Sequence, residues 1–390
     1  MGICIGNFDN SVLPADVLAA IGEDVPMYGV KFDPTGKTSV GVRTYDAATL
    51  KFTPSTASTA GIDDFATLAP FKTRECCRVY SNGSAKYYYK DNYSASDWQD
   101  IREGKNSTIN GDIMIEIPAF YYYRPSAGEF IVSEKFKTGF LPSPAHYRNG
   151  KMLNKIWICK YNIDTNYESK SKTTPRVSTN MNTFRSNLIA KDMYVIDYPT
   201  WCSVAMLLLV KYGTLDVQSV INGRSTSSVL ANGNADNVLG LDGSATNVVA
   251  SESCLCLGIE NFYGNAWKFL DGMFLYQYYV YLGDITTISA DPKSYNDLST
   301  YTKLTNKIHT SNASVTNLCY DKLFPYCMYN VSGSESYLTN DYQYTGGGFQ
   351  CALFGGSYAY GSSDGLFGAH FGGGVGISDS AVGCCGCSFS

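Results

Sequence analysis

TGGGFQCALFGGSYAYGSSDGLFGAHFGGGVGISDSAVGCCGCSFS, residues Thr345 to Ser390, is the stretch whose reading decides the fold. Glycine is dense in it, Tyr, Phe and His alternate with Ser, Ala and Asp, and no Lys, Arg, Glu or Asn stands after Asn340. Gly and Ser at this density suit a flexible linker. Disordered segments, however, are poor in large apolar residues. Here Leu353-Phe354, Leu366-Phe367 and Phe371 recur, continued by Val375, Ile377 and Val382. The stretch therefore reads as short strands and loops pinned by apolar pegs, with small and aromatic residues between them. Gly permits tight turns and close backbone approach, and Tyr, Ser and Gly are the residues of adaptable binding surfaces.

Composition bounds the rest. A chain of 390 residues accommodates two or three domains, each with a core. The 31 Tyr and the 14% aromatic content suit a β-rich protein with contact surfaces. A formal charge of -5 argues against a nucleic-acid partner, which wants clustered Lys and Arg. No apolar run reaches bilayer length. The segment MGICIGNFDNSV (Met1 to Val12) lacks the basic flank and apolar core of a secretory signal, and Gly2 is only a weak myristoylation site. A soluble product made in the cytoplasm, without membrane insertion, is expected. The 13 Cys have no regular spacing and read as reduced, buried thiols. Cys384, Cys385 and Cys387 with His370 match no structural zinc pattern, so neither a metal nor a cofactor is expected.

Along the chain, Met27 to Phe32 and Val40 to Tyr45 flank a turn at Asp33-Pro34-Thr35-Gly36 and predict a hairpin. A second hairpin is expected around Asn82-Gly83. The polar run Ser94 to Asn110 reads as a separator. Asp112 to Tyr123 is strongly β-prone, with Ile113, Ile115 and Ile117 on one face and Pro118 forcing an edge or bend. Lys155 to Tyr161 reads as a strand. Two helices follow, Asn182 to Lys191 and Pro199 to Tyr212. The second has Asp197 or Thr200 as cap, Gly213 as stop, and a buried stripe of Trp201, Val204, Ala205, Leu208 and Tyr212. Asn222 to Ala250 reads as a long loop region, and Leu275 to Leu282 (LYQYYVYL) as a strand.

From Gly111 onward the order of segments resembles C-type-lectin-fold proteins of the formylglycine-generating-enzyme-like branch, especially the variable proteins of diversity-generating retroelements in bacteriophages and bacteria. GDIMIEIPAFYYYR (Gly111 to Arg124), KYGTLDVQS (Lys211 to Ser219), GIENFYGNAWKFLDG (Gly258 to Gly272) and CALFGGSYAYGSSDGLFGAHF (Cys351 to Phe371) with AVGCCGCSFS (Ala381 to Ser390) carry the resemblance. YGVKFDPTGKTSVGVRTYDA (Tyr28 to Ala47) is similar to tail-fibre modules.

The resemblance implies an α+β fold. A β-rich attachment module at residues 1–110 would precede a C-type-lectin-fold ligand-binding domain at residues 111–390, variable at about 351–390. In this family error-prone copying at adenines turns Asn codons into codons for Tyr, Ser, Gly, Ala, Asp, His, Phe or Cys, never into stops. The absence of Asn from the tail fits. The exchangeable positions implied are Tyr358, Ala359, Tyr360, Ser363, Asp364, Gly368, His370, Gly372, Gly373, Gly376, Asp379 and Ala381, pointing outward. Cys385 departs from the pattern, standing where the family usually has Arg.

The implied activity is recognition of a bacterial surface receptor, protein or glycan, by a virion tail component. Other tail proteins are implied as partners, and a homotrimer fits tail-fibre precedent. A bacterial surface-displayed binding protein of the same fold is the alternative. The branch's oxidases use cysteines as copper ligands, here Cys384 and Cys387, but the acidic and basic residues that accompany them are missing. No phosphate loop occurs either, so no enzyme activity is expected.

Overall fold

The computed structural model describes residues 25–33, 38–223, 228–248, 251–283, 301–316, 318–321, 324–329, 339–363 and 365–389. Gly2, Asp364 and most of the turn expected at Asp33 to Gly36 lie outside them. The described chain is mostly β with few helices, a coarser description than the α+β lectin class expected.

The strand Asp112–Pro118 shows how the frame is built. Asp112 through Ile117 are buried on both faces, so the isoleucines do not mark a one-sided strand. The reason is position. It runs between Lys155–Cys159 and Arg74–Ser81, inside a six-stranded sheet. Pro118 ends it, and Tyr121–Ser126 enters a second, five-stranded sheet. The Asn82-Gly83 hairpin forms as expected, with φ of 52° and 75° at the two turn residues, the requirement of a two-residue type I′ turn. Tyr28–Lys31 and Val42–Tyr45 also pair antiparallel.

Both sheets run across the boundary expected between residues 110 and 111. Tyr28–Lys31 pairs with Glu129–Ser133 as well, and Arg74–Ser81 pairs with Asp112–Pro118. The polar run expected as a separator contains a helix, α1 (Ala95–Arg102), in which Ser94 Oγ accepts the Asp97 N–H at 3.2 Å. Only Trp98 and Ile101 supply its buried apolar side chains, too few to show helical periodicity in the sequence.

Helices α2 (Met181–Ile189) and α3 (Tyr198–Tyr212) lie where the sequence places them. Asp197 is the α3 cap, its Oδ1 accepting the Thr200 N–H at 2.9 Å, and Gly213 closes the helix at φ 69°. The expected one-sided stripe is absent, because every residue of α3 is buried. A helix apolar all round belongs in a core, and α3 packs against both Glu129–Ser133 and Trp267–Tyr276.

The third sheet carries the tail. Trp267–Tyr276 pairs with Tyr279–Leu282 on one side and Gln350–Phe354 on the other. Ala369–Phe371 comes next, then Tyr342–Thr345 running parallel to it. LYQYYVYL, expected as one strand, reverses at Gln277-Tyr278, with φ of 51° and 66°, so that Tyr276 faces Tyr279. The region expected as loop up to Ala250 contains the strand Gly243–Val248, paired with Ser251–Cys256. Gly386–Ser388 crosses into the six-stranded sheet, between Tyr194–Val195 and Lys155–Cys159, and ties the tail to the frame. Leu353, Phe354, Leu366, Phe367, Phe371 and Val382 are buried, while Val375 and Ile377 pack at the margin of the core.

Candidate functional site: an aromatic face on the tail sheet

The floor of the site is laid by GNAWK (Gly264 to Lys268). Gly264 has φ 75°, and a Cβ there would fall 1.8 Å from the Gly223 carbonyl oxygen, so no side chain fits. Asn265 follows at φ 62°. Its amide holds the Leu230 backbone in both directions, Oδ1 accepting from N–H at 2.7 Å and Nδ2 donating to the carbonyl at 3.2 Å. The Asn265 carbonyl accepts the Tyr358 N–H at 2.9 Å, and the Trp267 N–H donates to the Ala381 carbonyl at 2.8 Å. Lys268 turns its ammonium back onto the Gly264 and Ala266 carbonyls at 3.0 and 2.8 Å. Every polar group of the motif named here serves the backbone, and what it presents is Trp267.

Trp267, 3% exposed, is the base of a ring cluster. Tyr360 and His370 each lie 5.7 Å from it and Tyr344 lies at 6.4 Å, all tilted or edge-on. Tyr344 also meets Tyr360 at 5.1 Å, His370 at 5.3 Å and Tyr342 at 4.9 Å. Such geometry satisfies the ring quadrupoles, at about 0.5–1.5 kcal/mol per pair beyond area burial. Strand register assembles the cluster, since Tyr344 stands opposite His370 and His370 opposite Leu353. The two-residue strand period places Tyr342 and Tyr344 on one side and buries Gln343 between them.

The Gly372 N–H donates to His370 Nδ1 at 3.2 Å, which leaves the proton of the neutral ring on Nε2. Burial pushes the imidazole pKa below its ordinary value, with Asp379 opposing. The ring is therefore uncharged at neutral pH. A Cβ on Gly372 would approach the imidazole Cε1 to 2.6 Å, so a side chain at 372 moves His370.

The positions implied by the resemblance fall in different places. Tyr360, 37% exposed, and half-buried His370 belong to the ring cluster. Half-buried Tyr358 and exposed Ala359 lead into it, and half-buried Ser363 shares its loop, donating its N–H to the Tyr360 carbonyl at 3.2 Å. Gly372, Gly376 and Asp379 are exposed, and Gly373 and Ala381 half-buried. Gly376 faces open space, whereas a Cβ on Gly373 would meet Ile377 at 2.6 Å. Gly368 is buried. Its N–H donates to the Gly365 carbonyl and its own carbonyl accepts from Gly355, so that position points inward, in the backbone of a turn. Asp364 is outside the described residues.

Sequence reasoning missed Trp267, Tyr342 and Tyr344. A signal for the tyrosines exists in DYQYT (Asp341 to Thr345), where Tyr and Gln alternate at strand period. Trp267 carries no comparable signal, because a Trp in a β-prone run suits a core equally well.

Cys384, Cys385 and Cys387 are buried, and their thiols donate to the carbonyls of Cys385, Cys159 and Val195. Burial pushes the Cys385 thiol up to about 12. Among the described residues no group of three His, Cys, Asp or Glu side chains is placed to hold a metal ion, and no helix is long and apolar enough to cross a membrane.

No family model and no curated protein matches the chain. Among solved structures it is similar to the Major Tropism Determinant U1 variant, at 13% identity and a TM-score of 0.31. It is also similar to the M1 variant, at 14% and 0.32, and to the P3c variant, at 14% and 0.31. Each match covers 85% of this chain and 75% of the other.

Proposed function

We propose that the chain is a hypervariable receptor-binding protein, a bacteriophage tail component of C-type lectin fold. Its residues at about 351–390, diversified by a retroelement, recognise a molecule on the bacterial surface. The observation that supports this reading is the ring cluster. Tyr344, Tyr360 and His370 come from three separate segments onto one face, beside loops that are held by backbone bonds and buried pegs. Side chains on such a face can be exchanged while the frame stays intact. Tyrosine supplies contact area at low entropic cost, and repeated copies on a virion multiply weak contacts. The part before residue 111 takes the assembly role with other tail proteins, with a homotrimer as the arrangement.

The test is adsorption of the purified protein to a panel of bacterial strains. The combined variant Tyr358→Ala, Tyr360→Ala, His370→Ala is expected to lose binding while its unfolding midpoint stays within a few degrees of wild type. Undiminished adsorption by a folded triple variant overturns the reading.

A further inference from the structure

We propose that the ring cluster seats an arginine displayed on the surface of a partner protein. The inference rests on the receptor-binding reading and adds the chemistry of the ligand. Three observations carry it. The first is the cluster itself, in which Tyr344, Tyr360 and neutral His370 lie within 6.4 Å of Trp267 and Tyr344 lies 5.1 Å from Tyr360 and 5.3 Å from His370. Ring faces are electron-rich and attract a guanidinium lying within about 6 Å of the centroid.

The second is the charge around it. Residues 323–390 contain no Lys or Arg, and among the described residues of the tail Asp379 is an exposed acid. Asp379 is near enough to favour the charged form of His370. Its Oδ1 accepts the Ala381 N–H at 2.7 Å, and the Ala381 carbonyl in turn accepts the Trp267 N–H at 2.8 Å. A cation is the complement of aromatic faces beside a carboxylate.

The third is that this chain already sets cations over single tyrosine rings. Arg74 lies 4.0 Å from the Tyr89 centroid, Arg176 lies 4.2 Å from Tyr167, and Lys303 lies 3.7 Å from Tyr279. Arginine is preferred to lysine because its planar fork stacks on a ring and bonds a carboxylate at once. A protein partner is preferred because a charge-depleted surface rich in Tyr, Gly and Ser is the composition of protein recognition faces, where Arg is enriched opposite.

The experiment titrates the full chain with a peptide bearing several arginines and, in parallel, with the same peptide carrying citrulline in their place. The His370 imidazole resonances report on the site. The arginine peptide is expected to shift them and the citrulline peptide to leave them unmoved. Tyr344→Leu with Tyr360→Leu, which keeps apolar bulk and removes the rings, is expected to weaken binding roughly fivefold to thirtyfold. The corresponding Phe variants are expected to retain it.

Equal binding of both peptides, or no loss in the Leu variants, overturns the assignment. So does a preference for a choline-bearing polymer over the arginine peptide, which would place the cation on a surface polymer. Adsorption to cells separates this inference from the reading beneath it. If cells are bound through Tyr344 and Tyr360 but the arginine peptide is not, the arginine seat is wrong and receptor binding stands. If the peptide binds at the cluster and no strain is adsorbed, the seat stands and receptor binding falls.

Discussion

Around Glu75 the frame buries charge. Arg102 lies 2.6 Å from it and Lys160 lies 3.1 Å, with Asp236 a further 3.2 Å from Lys160, all nearly inaccessible to solvent. Beside them Glu260 accepts the Gly233 and Ala235 N–H groups at 2.8 and 2.9 Å. Around Trp267 the tail face gathers rings, in a stretch with no Lys or Arg from Leu323 onward. The two regions divide the work. In the frame, side-chain chemistry holds loops and helices together, so each buried ion depends on a particular partner. On the tail face the ladders, the turn bonds and the pegs hold the chain, and the exposed side chains are left to contact something else. A surface meant to change its residues needs the second arrangement, because a buried ion pair tolerates no unilateral substitution.

The contrast is tested hardest at Asp197. It caps α3 and takes two bonds from Arg148, at 2.5 and 3.0 Å. Asp197→Ala leaves a buried guanidinium without its carboxylate and is expected to destabilise the chain by about 3–5 kcal/mol in chemical denaturation. A loss below about 1 kcal/mol would mean that the frame does not depend on its ion pairs.

Next is a peg of the tail. Leu353→Ala is expected to cost about 2–5 kcal/mol, since Leu353 is 1% exposed. An unaffected midpoint would show that the tail packs loosely and would remove the physical basis for exchangeable positions.

A smaller effect is expected from proton linkage in the frame. Burial, with Asp236 adding, raises the Glu260 carboxyl from 4.5 to about 7. The folded value lies above the unfolded one, so folding takes up a proton between them. The contribution is complete below pH 4.5 and is lost as pH rises through about 7. Stability of wild type relative to Glu260→Gln should therefore fall across that window and level off above it. A difference independent of pH would place Glu260 outside the linkage.

The smallest effects belong to the face. Gly376→Ala enters open space and Ala359→Ser is exposed, so each should change stability by no more than about 0.5 kcal/mol. Gly264→Ala, the same change as at 376 but set 1.8 Å from a backbone oxygen, is the internal control and should be strongly destabilising. If the two glycines behave alike, frame and face are not held by different means.

Much of the frame could be read before any coordinates, and the elements that could be read have a common cause. The Asn82-Gly83 hairpin, the Asp197 cap with Gly213, and the Lys155–Cys159 strand are each declared by residues adjacent in sequence. Where the deciding contact is distant, the reading fails. Helix α1 is set by a docking site for Trp98 and Ile101, and the reversal at Gln277-Tyr278 is set by the ladder that Tyr279–Leu282 forms with Trp267–Tyr276 and Thr302–Lys307. The site divides in the same way. Tyr360 and His370 stood out in the Gly-rich tail, whereas Trp267 and Tyr344 became part of the face only when strands far apart in the chain were placed in register.

Sequence alone determined the materials: a β-rich chain, a tail without Lys, Arg or Asn, and apolar residues spaced along it as pegs. Those are matters of composition and local preference, which need no partner. Only the tertiary structure decided which aromatic rings meet and which glycines lie buried. It also joined Tyr28–Lys31 and Arg74–Ser81 into sheets with strands beyond residue 111. Ladder register and burial are properties of pairs of distant segments, and no single segment carries them.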